Sequence, residues 1–348
     1  MEETKSIQTF GNELQAVLGK MDIPCFLRNV EESIVANIYE FSINKLDKFK
    51  KLNNALDVIN LLKKTQLRLG QSKNYDFAIY EDKQTQSIGL AANFESYSFA
   101  NPYSALLGID NSGELVGIDF TKATHTLISG STGMGKTTLL NNIIYSLTKN
   151  SDDVSIHLID VKRTLTIWND CPQVKSVDCG EYPAYWRLYQ IAQELDDRLE
   201  SLSKQKLLKA DEKTCPYIFV IIDELSDLMF SSIKKDIEEL LVHIAQVGRA
   251  VNICLILATQ NPLVSVCTSL IKANCPTRIA LKAISQRDSI NILGNKHSYE
   301  LKGVGDCIIR PAYYPLEHSF KAFYIDDKEI LEYIQAKKEN THATKKRK

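Results

Sequence analysis

The sequence predicts an α/β protein, a doubly wound and mostly parallel sheet preceded by a smaller α+β unit. Three observations carry this. From about residue 125 onward, short apolar runs alternate with longer helical ones, and such alternation builds parallel strands joined by crossover helices. One strand-to-helix junction, residues 130–137, is the glycine-rich run Gly-Ser-Thr-Gly-Met-Gly-Lys-Thr. A second strand, 216–222, runs into the adjacent carboxylates Asp223 and Glu224. The length of 348 residues and the 44% hydrophobic content are enough for two domains with cores of their own.

Taken in order, the amino-terminal part reads as a helix over 9–21, a strand over 33–43, a basic helix over 46–69, and strands at 75–82 and 88–93. That is one small α+β domain, residues 1–100. Residues 101–115, with Pro102, Gly108 and the turn Asn111-Ser112-Gly113, read as the junction. The larger domain, 101–334, has strands at 125–129, 155–160, 216–222, 251–260, 277–282, 305–310 and 319–325. Its helices are expected at 138–147, 183–209 and 232–247. From 335 the chain is polar and ends Lys345-Lys346-Arg347-Lys348, the composition of a disordered basic tail. There is no internal repeat.

The net charge of −1 excludes a globally basic nucleic-acid binder, so any contact of that kind must be local. The eight cysteines form no C-x-x-C pair and fall mostly in apolar runs, as reduced core residues of a cytoplasmic protein do. No signal peptide opens the chain, and no apolar stretch reaches the ~18 residues of a membrane span, so a soluble protein is expected.

The chemistry is concentrated at the two strand ends. Residues 130–137 satisfy G-x-x-x-x-G-K-[ST] between an apolar strand and a helix, the setting a P-loop needs. The glycines let backbone N–H groups face a phosphate, and the helix N-terminus adds favourable charge. The candidate nucleotide-binding residues are Gly130, Ser131, Thr132, Gly133, Met134, Gly135, Lys136, Thr137 and Thr138. Lys136 would reach the β- and γ-phosphates of ATP, and the Thr137 hydroxyl would ligate Mg²⁺. About 85 residues further on, Asp223 would hold the Mg²⁺ shell while Glu224 orients and deprotonates the attacking water. An adjacent Asp-Glu pair favours an ATP hydrolase over a small-molecule kinase.

Between 248 and 306 the chain carries Gly-Arg-Ala-Val-Asn-Ile-Cys-Leu-Ile-Leu-Ala-Thr-Gln-Asn-Pro at 248–262, Leu-Ile-Lys-Ala-Asn-Cys-Pro-Thr-Arg-Ile-Ala at 270–280, Ser-Gln-Arg-Asp-Ser at 285–289 with Ile292-Leu293, and Gly-Val-Gly-Asp at 303–306. In these blocks it resembles the FtsK/SpoIIIE family of DNA translocases. Ile-Asp-Val-Lys at 159–162 resembles the family's second-strand Asp-Pro-Lys, with Val161 in place of proline. The resemblance spans about 20–330 and is weak in the first half. It implies a RecA-like P-loop ATPase domain, an amino-terminal unit similar to the family's smaller β-domain, and ATP-dependent movement of double-stranded DNA by a homo-hexameric ring. Two arginines common in the family are replaced here, by Asn261 and Ile290, and both bear on the subunit interface or the DNA. Neither the membrane segment nor the sequence-reading winged helix of long family members is resembled, so a bare motor is expected, anchored if at all by a membrane or channel partner protein.

On this resemblance Gln260 fits a sensor for the γ-phosphate or attacking water, the alternative being a strand-end side chain bonded to a loop. Arg249 fits an arginine finger presented to a neighbouring subunit, the alternative being a helix-end arginine that satisfies the helix dipole. Arg278 is a second finger candidate, and Arg198 has either an interface role or a place on a solvated helix face. Arg287, Lys296 and Lys302, with His297, lie in loops that face the central pore in the family and are candidate DNA contacts of the sequence-independent, phosphate-binding kind. Lys45, Lys48, Lys50, Lys51 and the terminal basic run are auxiliary candidates, and no aromatic residues interleave with them as a single-strand platform would require. The different-class alternative is a coupling or secretion ATPase that recruits a nucleoprotein or protein substrate to a conjugation or export channel.

Overall fold

In the smaller unit the chain forms α1 (Glu2–Lys20), β1 (Cys25–Glu32), β2 (Ala36–Ile43), a 3-10 segment (Leu46–Lys51), α2 (Leu52–Lys63), β3 (Leu67–Gly70) and β4 (Phe77–Asp82). The computed structural model describes every residue except 1, 34–35, 44–45, 64, 66, 71, 73, 83–87, 212–214, 315 and 348. Its two compact units are Met1–Gln86 with Ile109–Glu114, and Ser87–Gly108 with Leu115–Lys348.

The small unit is an antiparallel sheet in the order β1-β2-β4-β3. Its core joins Leu14 and Leu18 of α1 and Leu52, Leu56 and Ile59 of α2 to Tyr39, Phe41 and Phe77 of the sheet. The segment expected as one strand over 33–43 is the second arm of a hairpin. Its partner β1 escapes sequence reading because Arg28, Asn29, Glu31 and Glu32 leave it without apolar alternation, as an edge strand can be. The helix expected over 46–69 ends at Lys63, and Leu67–Gly70 pairs instead as β3. The Asn60 side chain enforces the break, donating to the Leu67 carbonyl at 2.8 Å and accepting from its N–H at 2.7 Å.

The larger unit continues with α3 (Leu90–Phe94), β5 (Ser104–Asp110), β6 (Leu115–Asp119), α4 (Phe120–Ala123), β7 (Thr126–Ser129), α5 (Lys136–Asn150), β8 (Ser155–Ile159), β9 (Val174–Asp178), α6 (Glu181–Lys204) and β10 (Ile218–Ile222). It closes with α7 (Leu225–Met229), α8 (Lys234–Val247), β11 (Ile253–Thr259), α9 (Ser269–Asn274), β12 (Thr277–Leu281), α10 (Gln286–Leu293), α11 (His297–Glu300), β13 (Asp306–Arg310), β14 (His318–Ala322) and α12 (Asp327–Arg347). The sheet order is β6-β5-β14-β13-β12-β7-β11-β10-β8-β9. The run from β12 to β9 is parallel throughout, whereas β13 and β14 are antiparallel additions. This is the predicted doubly wound, mostly parallel sheet. Its central strands β10 and β11 are buried along their whole length, as strands covered on both faces must be.

Three further stretches differ from the sequence reading. Residues 88–93, expected as a strand, give way to α3, because Leu90 and Phe94 repeat at helical spacing and are both buried. The expected junction at 101–115 contains the turn at Asn111-Ser112-Gly113, with the Asp110 carboxylate accepting from the Ser112 N–H at 2.8 Å and Gly113 at φ +85°. The residues before that turn are nonetheless a buried strand, β5. The segment from 335, expected to be disordered, continues α12 to Arg347. Ile330 and Ile334 are buried, Tyr333 packs on Tyr145 and Trp168, and Lys337 and Lys338 pair with Asp152 and Asp170, which anchors the helix along its first three turns.

Candidate nucleotide-binding and hydrolysis site

β7 lies between β11 and β12 and delivers the glycine-rich loop at its carboxyl end, where an open parallel sheet places its ligands. The loop is tied down on both sides. Gly130 N–H donates to the Thr259 carbonyl at 3.3 Å, while the Ser131 N–H and hydroxyl donate to the Lys282 carbonyl at 3.1 and 2.7 Å. Gly133 and Gly135 sit at φ +77° and +98°, conformations that side-chain-bearing residues rarely adopt. Among the described residues the N–H groups of Gly133, Gly135, Lys136 and Thr137 donate to no protein acceptor. A row of unused donors at the start of a fifteen-residue helix is an anion cradle, so the loop fits a nucleotide phosphate. Thr132 is exposed, with its hydroxyl donating to Gln260 Oε1 at 2.7 Å, and Met134, Thr137 and Thr138 are half-buried around the cradle.

Lys136 is buried. Its Nζ donates to Asp223 Oδ1 at 2.8 Å and also to the Asp223 carbonyl. Asp223 Oδ2 accepts from the Thr164 hydroxyl at 2.8 Å, a contact that no motif signalled. The structure therefore brings together the phosphate lysine and the carboxylate expected to bind metal. A threonine hydroxyl (Thr137) and a carboxylate (Asp223) are the hard oxygen donors that Mg²⁺ takes alongside phosphate oxygens.

Glu224 follows, fully buried. Its Oε1 accepts from the Ser226 hydroxyl at 2.8 Å, the Thr259 hydroxyl at 2.8 Å and the Gln260 N–H at 3.0 Å. Its Oε2 faces Lys162 Nζ at 3.1 Å. Burial acts to raise the carboxyl pKa. The donors Ser226, Thr259 and Gln260, with the charge of Lys136, outweigh it and hold Glu224 below its ordinary value, so the group is a carboxylate at neutral pH. Gln260 thus meets both the P-loop and Glu224. Ser226, Thr259 and Lys162 were not sequence candidates for this site, although Thr259 and Lys162 lie inside stretches that carried the resemblance.

The arginines sort clearly. Arg249 is exposed and makes no hydrogen bond or ion pair among the described residues. It precedes β11 while Gln260 follows it, and seven strand residues separate the two by roughly 20 Å, so Arg249 cannot reach the nucleotide site of its own chain. Arg278 is spoken for: its guanidinium donates to the Ile292 and Lys272 carbonyls at 2.6 and 2.9 Å. Arg198 likewise donates to the Pro216 and Val251 carbonyls, both at 2.9 Å, and pairs with Glu194. Both hold the fold.

Arg287, Lys296 and Lys302 are all exposed, on α10, ahead of α11 and ahead of β13, along the sheet edge that carries the P-loop. His297, next to Lys296 in the chain, is paired with Glu317 at 2.6 Å. Lys48 and Lys51 are partly neutralised by Asp22, whereas Lys45 and Lys348 lie outside the described residues, as do the side chains of 340–347. Among the described residues no helix is long and apolar enough to cross a membrane.

Residues 91–214 and 208–264 match the model of the FtsK/SpoIIIE family. A "DNA translocase FtsK" of Leptospira interrogans is 37% identical over 250 residues, covering 67% of this chain and 26% of that protein. The "DNA translocase FtsK" of Borreliella burgdorferi is 30% identical over 357 residues, covering 96% of this chain and 45% of that protein. The chain therefore spans less than half the length of either relative. Among solved structures, the pCW3 conjugation coupling protein TcpA, in a monomer form with ATPγS, superimposes with a TM-score of 0.67 at 20% identity, over 94% of this chain and 98% of that one. The fold is that of P-loop ATPases, and the chain belongs to the FtsK/SpoIIIE family.

Proposed function

We propose that the protein is an ATP-hydrolysing motor that moves double-stranded DNA, working in the cytoplasm as a ring of six copies. ATP is held on the N–H groups of the 130–137 loop with Lys136 at its β- and γ-phosphates. Thr137 and Asp223 would hold Mg²⁺, which would supply charge neutralisation at the phosphates. Glu224 accepts the proton of the attacking water, Gln260 senses the γ-phosphate, and Arg249 is supplied to the site of the adjacent copy, since it cannot serve its own. Eight free thiols suit a reducing compartment.

The observation that carries this reading is the physical join between nucleotide loop and basic loop. Gly305 N–H donates to the Met134 carbonyl at 2.9 Å, so the Gly303–Asp306 turn beside Lys302 rests directly on the P-loop. The turn is itself braced, with Gly303 N–H on Asp306 Oδ2 at 2.7 Å and Lys321 on Asp306 Oδ1 at 2.9 Å. Movement of the loop on nucleotide exchange is passed to residues that reach phosphate.

Duplex DNA of any sequence is expected to stimulate ATP turnover, with binding falling linearly on a log–log salt plot by about 0.9 per phosphate neutralised. Charge reversal at Arg287, Lys296 and Lys302 together removes the stimulation and leaves basal hydrolysis. If duplex DNA fails to stimulate at any salt while a candidate protein substrate does, the protein is a coupling ATPase instead.

A further inference from the structure

The hydrolysis site contains a cation that the functional reading leaves unused. Glu224 is fully buried, and three donors already satisfy its Oε1, coming from Ser226, Thr259 and the Gln260 backbone. That leaves Oε2 to take a proton from water; the shared Gln260 N–H reaches it more distantly, at 3.2 Å, and Lys162 Nζ stands on it at 3.1 Å. A lone pair aimed at an ammonium group is a poor base. Lys162 is not committed to that position, because its side chain is 39% exposed and the Asp227 carboxylate lies 3.8 Å from the same nitrogen. Two carboxylates thus compete for one lysine, one of them the proposed base and the other a partly exposed residue at the start of α7.

We propose that Lys162 is a positioning residue that locks Glu224 Oε2 in the resting subunit, and that hydrolysis requires its transfer to Asp227. The lock sits where it can be worked. Lys162 follows β8, the strand directly beside β10 and its Asp223-Glu224 end, so a small displacement of the 160–164 turn changes which carboxylate it meets. That turn is hinged on Asp160, whose carboxylate accepts from the Thr164 and Leu165 N–H groups at 2.9 and 2.7 Å, and Thr164 in turn touches Asp223. An occupant of the Asp223 metal site would therefore pull on the turn that carries the lock.

The proposal rests on Glu224 being the base, and the test keeps the two apart. Basal ATP turnover of the full chain is measured for Lys162→Ala, Lys162→Arg, Asp227→Asn, the Lys162→Ala/Asp227→Asn pair and Glu224→Gln, with kcat and KM resolved and thermal unfolding recorded for each. Lys162→Ala is expected to raise basal kcat several-fold at unchanged KM, and Lys162→Arg to restore the low value. Asp227→Asn is expected to lower kcat, because the lysine has nowhere to go, and in the absence of Lys162 it should do nothing. Opposite effects of two neighbouring residues, with the second acting only through the first, are not produced by loss of stability. Basal kcat of Lys162→Ala at or below wild type, alongside an inactive Glu224→Gln, overturns the lock alone. Undiminished turnover of Glu224→Gln overturns the base assignment and the lock with it.

Discussion

Lys136→Ala is expected to do more than abolish ATP binding: it should destabilise the nucleotide-free protein. Lys136 and Asp223 are 4% and 2% exposed in their side chains and 2.8 Å apart. Removing one partner of a buried pair leaves an uncompensated charge and costs about 3–5 kcal/mol. Asp223 keeps its hydrogen bond from Thr164 at 2.8 Å, so the lower end, about 3 kcal/mol, is the figure expected from. For a unit of this size that corresponds to a fall in Tm of roughly 6–12 °C. The double variant Lys136→Met/Asp223→Asn, which removes both charges, should recover more than half of the loss. The assay is urea or thermal unfolding without nucleotide, beside titration with a fluorescent ATP analogue. If Lys136→Ala unfolds within about 0.5 kcal/mol of wild type, an ordinary surface effect, or if the two single changes simply add, the resting pair does not exist in solution.

Further outcomes follow from the same geometry. Glu224→Gln should bind ATP as wild type does and lose turnover by roughly 100-fold or more, the share a positioned base supplies, as read by steady-state phosphate release. Arg249→Ala should retain ATP binding yet lose turnover by about a thousandfold or more, as an arginine finger does, and mixing it with Glu224→Gln should restore part of the activity. Full activity of Arg249→Ala alone would end the finger assignment. Burial pushes the His125 imidazole down to about 4, with its Nδ1 accepting from the Leu255 N–H at 3.0 Å. The unfolded chain binds that proton below about pH 6.5, so the contribution is complete above pH 6.5 and is lost as pH falls toward 4, by about 3 kcal/mol at most. Burial holds His157 down to about 4 as well, so urea unfolding between pH 7.5 and 5 should show both contributions, and His125→Asn should remove roughly half of the slope.

What could be read from the chain alone was whatever local covalent order dictates. The glycine-rich loop, the Asp-Glu strand end and the strand–helix alternation are short-range patterns, and each appears where those patterns require: the loop between β7 and α5, Asp223 and Glu224 after β10, and a parallel sheet around them. The elements that local sequence does not reveal are ones whose conformation depends on distant partners. β1 is a strand because β2 pairs with it, although nothing in its own polar sequence alternates. β5 is buried in the large sheet despite the turn signals that follow it, and α12 is held by Tyr145, Trp168, Asp152 and Asp170 from other parts of the chain. The site divides in the same way. Its phosphate cradle and carboxylates are legible because contiguous residues make them. The surroundings of Glu224 are assembled from Lys162, Ser226, Thr259 and Gln260, which parallel pairing of β8, β10 and β11 brings to one sheet edge. Residue types and spacing say which groups a motif holds. Only the tertiary packing decides which lone pairs are already occupied, because that depends on the approach of donors tens of residues away.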